Sequence, residues 1–303
     1  MAIGRSQHSS STYEFDSETQ VVTQFAVIQT RFETIELETL VGVLTRQGHI
    51  THADARRVAR RSRGILWENF GKEQANTVCK QLTELGYGVR VIPSAELPDL
   101  PEPRIIRWFE LKETHLNIPD GIRGETVPME WMSIFVISVG QIANLKKKMV
   151  KDRSRLVSSF DKAAFLTVSE PPTYRVQGNL VDVVDIVGLD QTGAIRHLRM
   201  PSNELAYSRI MGEGTELSRF ERFLVIVEYL IAHATEAIVS PETRKILVKR
   251  EPQSVVIEGD GANRIQEDAL QTYNRWLLGQ AITRERQLDQ QENIGEVRAP
   301  SSE

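Results

Sequence analysis

The chain has 303 residues, 40% hydrophobic and 26% charged, with a net charge of −4. That composition suits a folded chain with room for two small domains and tails, excludes a fibrous or low-complexity protein, and is too mildly charged to demand a nucleic-acid partner. The single cysteine, Cys79, excludes an intramolecular disulfide.

Residues 1–20 carry no apolar run and read as a disordered leader without the pattern of a signal peptide, so the expected setting is cytoplasmic. A β-branched strand is expected over 21–30. Leu37, Leu40, Val41 and Leu44 then recur on one helical face. Thr51, followed by Asp54, resembles a capping box opening a second helix with Ala55, Val58 and Ala59 as its thin apolar stripe. Gly64 ends it and residues 65–67 form a short strand. A third helix spans about 72–85, with Ala75, Val78, Cys79, Leu82 and Leu85 on one side and Gly86 as its stop. Residues 89–92 close the unit as a strand, cut off by Pro93.

This order, and the run GILWENFGKEQANTVCKQLTELGYGVRVIP in particular, resembles the C-terminal domain of the bacterial ribosomal stalk protein. The resemblance covers residues 21–93 and implies a fold: one sheet face covered by three helices. That family's factor-docking surface is Lys-rich, whereas the second helix here carries Arg56, Arg57, Arg60 and Arg61 and the first is acidic through Glu36 and Glu38. No functional residue carries over.

Residues 94–103, with three prolines in six positions, are expected to be an extended linker between domains. From 104 to 257 the rhythm is of short strands: 105–111, 115–118, 129–142, 164–168, 174–177, 180–187 and 194–200. Residues 145–160 read as an exposed loop. Ser218 with Glu221 makes a capping box, and Phe220, Phe223, Leu224, Val227, Leu230 and Ile231 form a wide helical stripe. Residues 223–234, the most hydrophobic stretch, are interrupted by Glu228 and too short to span a bilayer. Short strands closed by one amphipathic helix resemble in pattern a pleckstrin-homology-like barrel, although its paired basic residues are replaced by Lys112 and Arg123 among Glu110, Glu113 and Asp120. The tail, 258–303, holds a candidate helix over 264–286 with Ile265, Ala269, Tyr273, Trp276 and Leu277 on one face, then a polar end expected to be disordered. The fold class expected is α+β: a β-α-α-β-α-β domain, a β-rich domain closed by an amphipathic helix, and disordered termini.

Sequence motifs for phosphate loops, dinucleotide binding, nucleophile elbows and zinc proteases are absent from the chain. His49 and His52 flank a helix start with Asp54 nearby and read as exposed polar residues. Asp182 and Asp185 are three apart on a strand and so point to opposite faces. No cofactor, metal or catalytic residue is expected. Candidate anion or nucleic-acid contacts are Arg56, Arg57, Arg60, Arg61, Lys146, Lys147 and Lys148; candidate partner-docking residues are Tyr273, Trp276 and Leu277. The leading expectation is a non-enzymatic adaptor or regulatory module that binds a protein partner or itself. A peripheral binder of anionic lipid or ligand, and an RNA- or ribosome-associated factor using the arginine helix, stand as alternatives.

Overall fold

The structure, a computed structural model, describes residues 23–47, 50–120, 125–149, 174–213, 216–250, 256–257 and 262–297. The expected leader, the 164–168 strand, His49, Arg123, and the basic residues Lys151, Arg153 and Arg155 lie outside them.

The first unit runs β1 (Phe25–Gln29), α1 (Leu37–Gln47), α2 (His52–Arg61), β2 (Ile65–Phe70), α3 (Lys72–Glu84) and β3 (Val89–Pro93). Thr51 Oγ1 accepts the Asp54 amide at 3.1 Å and caps α2. Gly86, at φ 90°, lets the chain leave α3 in a left-handed turn. The strands form an antiparallel sheet in the order β2-β1-β3. Alternation along β1 sorts its side chains. Val27 joins Leu40, Leu44, Val78 and Leu82 beneath the helices, while Ala26 and Ile28 face the other way.

The second unit is built on one long hairpin, β8 (Ile134–Met149) with β9 (Tyr174–Leu189), which pair antiparallel along their whole length. Residues 145–149, expected in a loop, are therefore strand, and the two strands expected at 174–177 and 180–187 are one. β10 (Ile195–Pro201) pairs antiparallel with β9; β4 (Arg104–Ile105) adds parallel to β10 and β11 (Ile238–Val239) parallel to β8. β12 (Val256–Ile257) joins β9 beyond the end of β10. A separate antiparallel meander is made of β5 (Glu110–Leu111), β6 (His115–Asp120) and β7 (Glu125–Glu130). Pro119 and Pro128 sit within it, so the run expected over 115–118 continues through Pro119 to Asp120.

Alternation along β8–β10 gives the larger sheet two buried faces. Ile134, Ile137, Val139, Val184, Ile186, Leu198 and Met200 face the meander and α5 (Arg219–His233). The Ser218–Glu221 capping box is present at the start of α5. A short helix, α4 (Tyr207–Met211), and a nine-residue helix, α6 (Pro241–Lys249), had not been foreseen.

α7 (Ala262–Val297) is longer than expected and continues through residues 287–297, which the polar composition had assigned to a disordered end. It lies between the two sheets. Trp276, Leu277 and Tyr273 pack with Ala26, Ile28 and Ile65 of the first unit and with Val136 and Val187 of the second. The expectation that Tyr273, Trp276 and Leu277 wait for a partner is thus corrected: all three are buried by the chain itself. Each sheet presents a second apolar face, and one helix buries both.

The Pro-rich segment is tied down as well. Ser94 N–H donates to Gln24 O, Arg275 Nε donates to Pro98 O at 2.8 Å, and His197 Nδ1 lies 3.0 Å from Pro101 O.

Candidate functional site

Two polar features distinguish the inner surfaces. The first is a buried cluster under α7. Ser138, Asp185 and Arg199 lie side by side across β8, β9 and β10. Arg199 Nε and Nη2 donate to the two carboxylate oxygens of Asp185, each at 2.8 Å. Asn274 Nδ2 donates to Asp185 Oδ2 at 2.7 Å and Asn274 Oδ1 accepts from Ser138. His197 Nε2 lies 3.2 Å from Asp185 Oδ2. All five side chains are buried. Burial alone would raise the Asp185 carboxyl, but the guanidinium and the imidazole beside it hold it below its usual range. Arg199 answers in kind: burial lowers it, and the Asp185 carboxylate more than restores it. Each member faces another, and Arg199 Nη1 also lies 3.6 Å from Glu267 Oε1 of α7. The cluster acts as a seat for Asn274 and so for α7. Asp182, on the opposite face as expected, takes no part; burial raises its carboxyl and Gln141 Nε2 donates to it at 2.8 Å.

The second feature is open. A cleft runs between the first unit and the start of α6, in two lobes of about 340 and 300 Å³. Arg60, Arg63, Glu242, Lys245 and Tyr273 line both lobes. One lobe adds Phe32, Ile35, Leu37 and Leu40; the other adds Val139, Ile246, Ala269 and Leu270. The charged lining, which includes Glu33 as well, is the accessible part: Leu40, Val139, Ala269 and Leu270 are buried, and Phe32 is the exposed apolar residue among those named.

Local structure holds these residues in place. Ser240 caps α6, accepting the Thr243 amide at 3.2 Å, with Pro241 in the first turn. The Val139 amide donates to Thr243 Oγ1 at 2.7 Å and the Ser240 amide to Ile137 O at 3.1 Å, fixing α6 to β8. On the other side, Arg61 of α2 pairs with Asp268 of α7 at 3.2 Å. The Tyr273 hydroxyl donates to Glu242 Oε2 at 2.9 Å; burial, and then that carboxylate, push the phenol well above its ordinary range. Tyr273 stays neutral and engages one of the two Glu242 carboxylate oxygens.

The arginine helix divides accordingly. Arg56 pairs with Glu38 at 2.9 Å, Arg57 with Asp54, and Arg61 with Asp268. Arg60 remains, pointing into the cleft, and it is joined there by Arg63 and Lys245. Among the described residues these three form no ion pair. Lys146, Lys147 and Lys148 stand on β8 opposite Gln177, Val176 and Arg175, away from the cleft, and their side chains lie outside the described part of the structure. Arg63, which follows the four arginines of α2 in the sequence, was not among the candidate contacts, and neither were Lys245, Glu242 and Phe32. The Ser-Pro-Glu start of α6 was a usable signal for a helix, but nothing in it places that helix opposite α2.

No group of metal ligands occurs among the described residues, and none of their helices is long and apolar enough to cross a membrane. Comparison with known protein families, with curated proteins and with solved structures finds no match.

Proposed function

We propose that this protein is a non-enzymatic regulatory binding module that captures an anionic group in the cleft between its two units. One observation carries the reading: Arg60, Arg63 and Lys245 face a common space without an ion-pair partner among the described residues, while three of their arginine neighbours are paired. The three cations are exposed, and their summed field in a concave site attracts an incoming anion. Tyr273, in the cleft, is held neutral, and Cys79 of α3 lies outside the cleft lining beside Val89 of β3, its thiol pushed up by burial. A free thiol suits a reducing, cytoplasmic setting. The nucleic-acid alternative draws on less, since Arg56, Arg57 and Arg61 are already engaged and Trp276 and Tyr273 are buried.

Isothermal titration of the full chain with pyrophosphate and with succinate tests the reading. Binding that weakens with added salt and is lost in the Arg60→Ala/Arg63→Ala/Lys245→Ala variant is the expected result. Binding of neither anion at low salt, or binding indifferent to those substitutions, would overturn it.

A further inference from the structure

The hairpin of β8 and β9 runs on past the body of the second unit. β10 pairs with β9 over 183–189 and β11 with β8 at Val136 and Ile137, whereas the hairpin register continues to Met149 and Tyr174. α7 covers part of this extension. Asn274 meets Ser138, and Leu270 lies against Gly140 and packs with Val181 and Ile142, so the helix runs antiparallel to β8. The eight residues of α7 before Leu270 span about 12 Å, the length of about four strand residues, so α7 starts beside about residue 144. Beyond that point, among the described residues, only β12 pairs with the ribbon, at Gly178 and Asn179.

The register sorts the residues of this ribbon between two faces. Asn144, Lys146 and Lys148 share one face with their partners Asn179, Gln177 and Arg175. Leu145, Lys147 and Met149 share the other with Gly178, Val176 and Tyr174. Residues 142–149 and 174–181 hold four cations and no acid, in a chain whose net charge is −4. Three of the four fall on the first face. Lys148 stands directly opposite Arg175, a like-charge pair where opposite charges would stabilise the ladder. A ribbon that had only to stay solvated would gain from an acid at either position. This one carries a repulsion that an incoming polyanion relieves.

The arrangement selects among polyanions. Lys146 and Lys148 are about 7 Å apart along β8, so the cations suit a row of charges rather than one small anion. A lipid surface rewards cations and apolar residues on the same side, and here Leu145, Met149, Tyr174 and Val176 take the side opposite Lys146, Lys148 and Arg175. The cationic face instead carries the carboxamide residues Asn144, Gln177 and Asn179, a residue type that donates and accepts at base edges. The major groove of B-form DNA admits a two-stranded ribbon, whereas that of an RNA duplex is too narrow.

We infer that the β8–β9 ribbon is a binding site for duplex DNA, with the face of Lys146, Lys148 and Arg175 turned to the major groove. The site is separate from the cleft and uses none of its residues, nor those of the arginine helix.

Fluorescence anisotropy of a short labelled DNA duplex with the full chain tests the inference. Binding is expected at about 50 mM salt and should weaken about fortyfold by about 200 mM, the dependence set by three phosphate contacts. Lys146→Gln/Lys148→Gln/Arg175→Gln should remove it. Lys148→Gln alone, which also relieves the cross-strand repulsion and so spares the fold, should lower the salt slope by about one unit. Lys147→Gln, on the other face, should weaken binding far less, and the Arg60→Ala/Arg63→Ala/Lys245→Ala cleft variant should bind as the parent does. No duplex binding at the lower salt, binding indifferent to the triple Gln variant, or equal loss from Lys147→Gln would overturn the inference. Loss in the cleft variant would move the DNA to the cleft and overturn it equally. Vesicles containing phosphatidylserine that outcompete the duplex would assign the ribbon to a lipid surface, and polyglutamate that does so would assign it to an acidic protein.

Discussion

The indole of Trp276 rests on the backbone of Gly64. Gly64 has φ 76°, a left-handed conformation, and a Cβ there would come within 2.7 Å of the Trp276 Cβ and closer still to its ring. Trp276 Nε1 donates to Gln29 O at 2.8 Å, while Gln29 Oε1 accepts the Gly64 amide. Phe32 covers the indole edge-on, with ring centroids 5.1 Å apart. Through these contacts α7 becomes part of the first unit as well as of the second.

Gly64→Ala should therefore cost more than the left-handed backbone alone. Gly86, at φ 90° with open space around it, is the control. Gly86→Ala is expected to cost about 1–2 kcal/mol for the backbone, and Gly64→Ala at least about 1 kcal/mol more from overpacking. Urea denaturation of both variants measures the difference, and equal costs would mean that the indole yields without strain.

Removing α7 should unfold the protein or strip it of cooperativity. A chain ending at residue 261 would expose Ala26, Ile28 and Ile65 on one sheet and Val136 and Val187 on the other. Trp276→Ala alone is expected to cost about 3–5 kcal/mol. Calorimetry should show a large fall in Tm for the truncated chain. A melt unchanged by truncation would mean that the helix is not part of the core.

The buried cluster predicts a pH dependence with a definite sign. The Asp185 carboxyl lies below its unfolded value, which is about 3.9. Its contribution is thus complete above that value and is lost as pH falls through the folded one. Asp185→Asn should destabilise the protein by about 3–5 kcal/mol at neutral pH, because Arg199 is left buried without its counter-charge. The variant should also lose part of the fall in stability expected for the parent below about pH 4. Circular dichroism melts from pH 3 to 7 would show both effects, and an unaltered acid limb would remove Asp185 from the account.

Leu82 is fully buried beneath the first sheet, among Val27, Leu44 and Val78. Leu82→Ala should cost about 2–5 kcal/mol by equilibrium denaturation. A cost under about 1 kcal/mol would show that the surrounding side chains close the cavity.

Much of the local structure was legible beforehand. The order of six elements over residues 25–93 follows from β-branched runs, apolar stripes at helical spacing, the Thr51 cap and the Gly86 stop, all of which act within a few residues. The capping box at Ser218 is equally local. The long hairpin was broken into pieces because Lys146–Lys148 look solvated on their own and the second strand was split between 177 and 180, and only the pairing makes one ladder. The helix at Pro241–Lys249 was missed because its apolar residues, Ile246 to Val248, are consecutive rather than periodic.

By itself, then, the amino-acid sequence determined an α+β protein with an amphipathic helix near its end. It could not say what covers that helix, since a stripe such as Tyr273, Trp276 and Leu277 specifies apolar contact and not the identity of the contacting surface. The tertiary structure decided that, because both sheets left a second apolar face that one helix buries at once. It likewise decided which arginines are spent and which are free. Arg56, Arg60 and Arg61 are equivalent in composition, and only the fold brings Glu38 to the first, Asp268 to the third, and an open cleft to the second.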